Sequence, residues 1–246
     1  MVAAMLPAPV PLGLPGLVLW YDPSQETAWA DTQEVTTMTD FSGNGWDATV
    51  EPTRTGPTYE VANRNGLATF GCALGVAMVT IGLNLQDGDY TIYCVVDYSS
   101  PEAANQERLM HSSTGSLLIV GLDLTVGVNE RVFAASTAGT TSGSVAVGGT
   151  WQVNSWRFAR VGDPNRVEIR RALDGSGPTI VLGGSSIVAY PAGGADVVRP
   201  TWFSQINGGA DYLIGSVGDV LLYNQAHSLA DLQALYAYLY DKWAIT

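Results

Sequence analysis

The chain has 246 residues, 46% of them hydrophobic and only 14% charged, against roughly 25% charged in an ordinary domain. Its formal net charge is −12 and its sequence pI about 4.3, a field that repels phosphate backbones and anionic lipid and argues against nucleic-acid and membrane partners. No run of about 18 apolar residues is present to span a bilayer, and the length suits one all-β domain with a sizeable core.

Residues 1–15 are apolar but interrupted by Pro7, Pro9, Pro11 and Pro15. They lack the basic start and unbroken apolar run of a signal peptide. Their prolines favour an extended path, so they are expected as a docking arm in front of a single domain over 16–246, the alternative being that they wrap across their own domain. Within that domain strands are expected at 17–21, 67–72, 90–98, 117–124, 131–135, 151–161, 167–173, 201–206 and 211–223. Turn chemistry separates them: Asp22-Pro23, Ser42-Gly43-Asn44-Gly45, Asn65-Gly66, Asp87-Gly88, Asp163-Pro164 and Asp174-Gly175. Trp156, Phe158 and Val161 are interleaved with Arg157 and Arg160, and 166–170 alternates strictly, so these strands have one wet face. The stretch 90–96 is apolar almost throughout, as a strand buried between two sheets would be. Residues 137–149 are rich in Gly, Ser and Thr and read as a loop or an edge ribbon.

The end of the chain changes period. Ser228 with Asp231 has the spacing of a capping box, and Leu232, Tyr236, Leu239 and Trp243 recur at four, three and four, which predicts a helix over 228–243. Strands without interleaved helices, followed by one helix, predict an all-β fold: an antiparallel β-sandwich (jelly roll) with one C-terminal α-helix.

The order of segments resembles the concanavalin A-like lectin/glucanase superfamily, in particular the laminin-G-like jelly rolls of bacteriophage virion and bacterial surface proteins. Four pieces carry the resemblance: Leu17-Val18-Leu19-Trp20-Tyr21-Asp22; the turn Asp40-Phe41-Ser42-Gly43-Asn44-Gly45-Trp46-Asp47-Ala48; Asn65-Gly66-Leu67-Ala68-Thr69-Phe70 with Asp89-Tyr90-Thr91-Ile92; and Ile214-Gly215 with Gly218-Asp219-Val220-Leu221-Leu222-Tyr223-Asn224-Gln225-Ala226 before the helix. The resemblance implies two curved antiparallel sheets. It also implies, for the superfamily's enzymes, an E-x-D-x-x-E run of acids on one strand, and no such run occurs here.

No catalytic set is therefore read from the sequence. Glu168 stands alone between Val167 and Ile169 and reads as a solvent-facing strand residue. His111 falls at a strand end, and His227 before the helix cap reads as part of that turn; neither has a recognisable partner. Asp40, Ser42 and Asn44 space oxygen ligands as a Ca²⁺ loop does, and an Asx/Gly turn explains the same residues; no cofactor other than Ca²⁺ is suggested by the sequence. Trp46 either stacks on a sugar or folds back over the sandwich rim; Trp29 and Trp202 are further stacking candidates, while Trp20, Trp156 and Trp243 fit core positions. Cys72 and Cys94 are either two buried thiols or one bridge.

These readings lead to the expectation of a non-enzymatic structural or accessory protein of a bacteriophage virion, a capsid decoration, fibre or tail subunit. Its partners would be other virion subunits reached through the N-terminal arm, further copies of itself, and host glycan. The alternative is a carbohydrate-binding module or lectin of a secreted or cell-surface system.

Overall fold

The structure is a computed structural model and describes residues 10–85, 88–98, 106–112, 119–123, 131–136, 139–144, 151–159, 166–173, 197–204 and 212–245. In chain order it contains α1 (Val10–Gly13), β1 (Leu17–Tyr21), β2 (Thr37–Met38), β3 (Ala48–Val50), β4 (Thr58–Arg64), β5 (Leu67–Cys72), β6 (Met78–Val79), β7 (Asn84–Leu85), β8 (Tyr90–Asp97) and β9 (Gln106–His111). Then follow β10 (Ile119–Asp123), β11 (Arg131–Ser136), β12 (Gly139–Ser144), β13 (Gln152–Ala159), β14 (Arg166–Leu173), β15 (Val197–Val198), β16 (Thr201–Trp202), β17 (Gly215–Tyr223) and α2 (Leu229–Trp243). A first sheet runs β14-β13-β8-β17-β5-β4, with β1 also on β17; a second runs β12-β11-β10-β9-β16-β6-β3-β2. All their ladders are antiparallel, so the predicted all-β sandwich with one C-terminal helix is the fold.

The central strands of the first sheet, β8 and β17, are buried on both faces over most of their length. Tyr90, Ile92, Cys94 and Val96 of β8, with Val217, Val220 and Leu222 of β17, enter the core between the sheets. The intervening Tyr93, Val95, Leu221 and Tyr223 belong to a second core under α2, with Leu232, Leu235, Tyr236, Leu239 and Trp243. The nearly continuous apolar run of β8 is thus explained by a sheet on one side and a helix on the other, not by two sheets. The capping box forms as predicted: Ser228 Oγ accepts from the Asp231 amide at 3.2 Å, and Asp231 Oδ2 accepts from the Ser228 amide at 3.0 Å.

The helix docks on an irregularity in β17. Its register with β8 shifts between Val217 and Val220, so Gly218 and Asp219 form a bulge. On the other edge, β17 pairs with β5 before the bulge and with β1 after it. The Trp243 ring lies over Gly218, where a Cβ would come within 2.7 Å of it. Asp219, with no exposed surface, accepts from Trp20 Nε1 and Trp243 Nε1, both at 2.5 Å. Lys242, the only lysine of the chain, bridges Asp219 at 2.8 Å and Asp22 at 2.6 Å.

Several expectations are corrected by tertiary context. β4 was not anticipated because its residues are mostly exposed and lack alternation; it pairs with β5 across the Asn65-Gly66 turn, both residues at positive φ of 51° and 71°. The strand expected at 201–206 ends at Trp202, since Phe203 adopts φ 67°. The strand expected from 211 begins at Gly215. Gly139–Ser144 is an edge strand, the ribbon alternative. The arm does not stay extended to Pro15. Val10–Gly13 turns helical, Tyr223 Oη donates to the Pro11 carbonyl and Gln225 Nε2 to that of Pro15, so this portion is tied to its own domain. Residues 1–9 and the turns at Asp87, Asp163-Pro164 and Asp174-Gly175 lie outside the described residues. Cys72 and Cys94 are two buried thiols, not a bridge. Among the described residues no helix is long and apolar enough to cross a membrane.

Lys242→Met leaves two carboxylates without their cation and should cost about 3–5 kcal/mol, and Gly218→Ala should cost about 1–3 kcal/mol through overpacking against Trp243, both measured by urea unfolding. Burial, reinforced by Asp22, pushes the Asp219 carboxyl up to about 6. An acid raised in the folded state contributes stability that is complete below the ordinary aspartate range near pH 4 and is lost as pH rises through 6. The stability advantage of the parent over Asp219→Asn should therefore be larger at pH 4 than at pH 7; an advantage that grows with pH would contradict this assignment.

Candidate functional site

Two surfaces concern function: the rim turn singled out by the sequence, and a polar face that only the fold assembles. In the rim turn, Asp40 Oδ1 accepts from the amides of Trp20 and Ser42, each at 2.9 Å. Asp40 Oδ2 accepts from Ser42 Oγ at 2.8 Å and from the Trp46 amide at 3.0 Å. Asn44 Nδ2 donates to the Val18 carbonyl at 2.9 Å, and Asp47 Oδ1 accepts from the Asp40 amide at 2.8 Å. Gly43 and Gly45 supply φ values of 87° and 76°. The carboxylate that would lead a Ca²⁺ loop is thus occupied by four donors that stitch the turn to β1. Among the described residues no group of three His, Cys, Asp or Glu side chains could hold a metal ion.

Trp46 is half-buried and packs on the inter-sheet core, close to Gly82; its carbonyl accepts from Tyr21 Oη at 2.7 Å. Trp29 is also half-buried against that core, and Trp202 is fully buried with Nε1 donating to Thr80 Oγ1 at 2.9 Å, which removes it as a stacking surface. His111 is buried at the end of β9. His227 is buried in the turn before α2, its Nδ1 paired with Tyr93 Oη at 2.8 Å, and burial pushes its pKa down to about 4. Glu168 stands on β14 opposite Arg157, and its side chain lies outside the described residues.

The polar face lies on the outer side of the first sheet, where α2 stops. Thr58, Gly71, Ser216 and Asp97 form one cross-strand row over β4, β5, β17 and β8, and Glu60 pairs with Thr69 one step along. Side chains across such a row share one face. Glu60 Oε2 accepts from Asn63 Nδ2 at 2.7 Å, Thr69 Oγ1 at 2.8 Å and Ser216 Oγ at 2.9 Å. Glu60 Oε1 lies over Gly71, where a Cβ would come within 2.4 Å of it, so glycine makes the room for this carboxylate. Asp97 is half-buried; its Oδ1 is shielded from solvent without a hydrogen-bond partner, and burial raises its carboxyl above the ordinary range against the opposing charge of Arg64.

Arg64 sets the boundary of the face. Its Nε donates to the Trp243 carbonyl at 2.9 Å and its terminal nitrogen to that of Ala244 at 2.6 Å, while Asn65 Nδ2 takes the Lys242 carbonyl at 2.8 Å. These donors satisfy the orphan carbonyls of α2 and end it, with Ala244 left-handed at φ 48°. Trp151, stacked on Trp243 with ring centroids 5.8 Å apart, adjoins Asp97 on the neighbouring strand. The result is a face of carboxylate, amide and hydroxyl groups beside an indole shoulder. Chemically it offers open carboxylate oxygens to hydrogen-bond donors. Sequence reasoning missed it because it looked for acids along one strand, whereas Glu60 and Asp97 come from strands separated by β5 and β17.

No protein-family model and no curated protein matches the chain. Solved structures do share its fold. A Trypanosoma rangeli sialidase in complex with sialic acid is similar with a TM-score of 0.57 at 13% identity, over 92% of this chain and 33% of that one. An arabinofuranosidase complexed with arabinofuranosyl-α-1,2-xylobiose gives 0.61 at 13% identity, over 91% and 58%. Domain 4 of AbnA, a GH43 extracellular arabinanase from Geobacillus stearothermophilus, in complex with arabinotriose gives 0.59 at 13% identity, over 90% and 98%. The chain spans about one third of the sialidase and under three fifths of the arabinofuranosidase, but nearly the whole of the AbnA domain.

These neighbours overturn the expectation of a non-enzymatic bacteriophage virion subunit. The structures named above are of a sialidase, an arabinofuranosidase and an arabinanase domain, carbohydrate-active enzymes rather than particle components. The exclusion of an enzyme falls with it, since it rested on the want of a single-strand acid run, and acids brought together across strands escape that search.

One prediction separates the turn from a metal site. Asp40→Ala strips the acceptor from four donors and should cost about 3 kcal/mol, since buried donors left unpaired each cost about 1–3 kcal/mol. Gly45→Val should also lower the melting temperature, because a β-branched residue tolerates positive φ poorly. Millimolar Ca²⁺ should leave the parent's melting temperature unchanged; a Ca²⁺-dependent rise that Asp40→Ala abolishes would reinstate the metal.

Proposed function

We propose that the chain is a glycan-recognition domain of the concanavalin A-like, laminin-G-like kind, working in a secreted or cell-surface carbohydrate-active system, with its ligand on the polar face of β4, β5, β17 and β8. The observation that carries this reading is the pair of carboxylates, Glu60 and Asp97, each with an oxygen uncommitted among the described residues, on a face that the helix leaves uncovered. Sugar hydroxyls are donors in need of such acceptors, and hydrogen bonds to an ionised group are roughly twice as strong as neutral ones. Asn63, Thr69 and Ser216 hold Glu60 in place before any ligand arrives, which reduces the ordering cost of binding. The buried stack of Trp151 on Trp243 bounds this face on one side. The AbnA domain, similar over nearly its entire length, was solved holding arabinotriose, which supports a saccharide as ligand.

The test is a saccharide panel that includes arabinotriose, read by calorimetry for binding and by reducing-end release for turnover. Binding by the parent should weaken about 10- to 100-fold in Glu60→Gln and in Asp97→Ala, the loss expected for a charge-assisted hydrogen bond of about 1.5–3 kcal/mol. Trp46→Ala should leave it unchanged. If Trp46→Ala abolishes binding while the carboxylate variants keep it, the ligand sits at the rim turn instead. Turnover that Asp97→Asn removes would make the polar face an active site.

A further inference from the structure

The chain has ten arginines and one lysine, and it places that lysine in a buried ion pair. Arginine is the usual choice for a static buried pair, since its planar guanidinium is weakly hydrated and grips a carboxylate with two parallel bonds. Lysine offers what arginine does not: once deprotonated, its amine is a nucleophile. Lys242 Nζ lies 2.6 Å from Asp22 Oδ2 and 2.8 Å from Asp219 Oδ2. The two aspartates are 1% and 0% exposed. The rings of Trp20, Trp243 and Tyr238 stand 5.7, 5.4 and 6.0 Å from the nitrogen.

The surroundings of Asp22 are those of an acyl group prepared for attack. Its Oδ1 accepts from the Ser24 amide at 3.0 Å and from Ser24 Oγ at 2.6 Å. Donors so placed stabilise the negative charge that develops on Oδ1 in a tetrahedral intermediate. Its Oδ2, the oxygen facing Nζ, also accepts from Gln25 Nε2 at 2.6 Å. The second carboxylate, Asp219, is fixed by the indole N–H groups of Trp20 and Trp243. Burial raises its carboxyl to about 6, so it can hold a proton taken from the amine. Desolvation favours the neutral amine, but Asp219 and Asp22 keep Lys242 protonated at rest. Bond formation at this site is therefore a slow maturation of the folded chain.

We infer that Lys242 Nζ and Asp22 Cγ become joined by an intramolecular amide bond in the folded protein. Nζ passes one proton to Asp219 and attacks Cγ; the C–N bond forms and the bond from Cγ to Oδ2 breaks. Two protons from Nζ leave with Oδ2 as water, one of them through Asp219, which returns to its starting state. Nothing is oxidised or reduced, and no co-reactant enters. The amide replaces two buried charges with none, and the desolvation cost of the pair favours it. With the ammonium gone, burial keeps the proton on Asp219. The bond ties the residue after β1 to the last turn of α2 and closes a loop over nearly the whole chain, which restricts the unfolded state as any long cross-link does. The ion pair in the structure is the state before the bond forms.

The experiment is the mass of the intact chain, denatured after the folded protein has stood for days at room temperature. The parent should be lighter than its sequence by one water, and digestion should release a branched peptide joining Asp22 to Lys242. Lys242→Arg keeps the cation but lacks the amine; it should fold, keep its full mass and melt below the parent. Asp22→Ala should also keep its full mass. Asp219→Asn should slow the appearance of the lighter species at least about 100-fold, the loss expected when a positioned acid–base group is removed. Circular dichroism of each variant shows that the sandwich is kept. A folded parent that retains its full mass overturns the inference. Water loss that persists in Lys242→Arg also overturns it, because it would come from an aspartate cyclising on its own backbone. Water loss at the parent rate in Asp219→Asn overturns the proton relay.

Discussion

The fold turns on a single buried carboxylate. Asp219 sits in the bulge of β17, which pairs with β8 on one side and with β5 and β1 on the other, and it is satisfied by Trp20 on β1 and by Trp243 with Lys242 on α2. A charge so placed is tolerable only if every lone pair finds a donor and a cation is at hand. The first strand, the central strand and the last helix must therefore close on one another together. Asp22 joins the same ammonium, so one lysine serves two acids, and burial raises the Asp219 carboxyl above the ordinary aspartate range. The bulge has a second consequence. It hands the edge of β17 from β5 to β1, which lets the N-terminal strand enter the sheet beside a hairpin already in place.

The position of the helix divides the outer face of the first sheet into two territories. Beneath α2 the face is apolar and aromatic, with Tyr93, Leu221, Tyr223 and Leu67 in contact with the helical stripe. Beyond Trp243 it is polar, with Glu60, Thr69, Ser216 and Asp97. The division is enforced from both sides. Arg64 and Asn65, at the tip of the β4–β5 hairpin, take the last carbonyls of the helix, and the indole of Trp243 settles over a glycine that admits it. The face proposed for glycan recognition is the part of the sheet that the helix does not need.

The rim turn illustrates how one motif can serve architecture where its composition invites a metal. Asp40 gathers four donors because the backbone of 40–46 curls around it, and its neighbours Ser42 and Asn44 reach back to β1. The turn anchors the strand that carries Trp20 into the Asp219 cluster. Trp46 rides on this anchor, half-buried, because its own backbone is committed to Asp40 and Tyr21.

The sequence by itself determined what local chemistry can determine. Alternation and turn residues placed about half of the described strands, the capping box placed the start of α2, and its stripe identified Leu232, Tyr236, Leu239 and Trp243 as buried. Gly218-Asp219 was visible as part of a closing motif but carried no sign of its bulge, since a bulge is a property of pairing and not of one strand. The short or exposed strands, β2, β3, β4 and β6 among them, lacked a pattern because their partners, not their own residues, make them strands. The site escaped for the same reason. Glu60 and Asp97 lie 37 positions apart in the sequence, and in it neither has an acidic neighbour at active-site spacing. Only pairing across β4, β5, β17 and β8 brings them onto one face, and only the end of α2 decides that this face stays open, because side-chain proximity in a sheet is set by register between strands rather than by order along the chain.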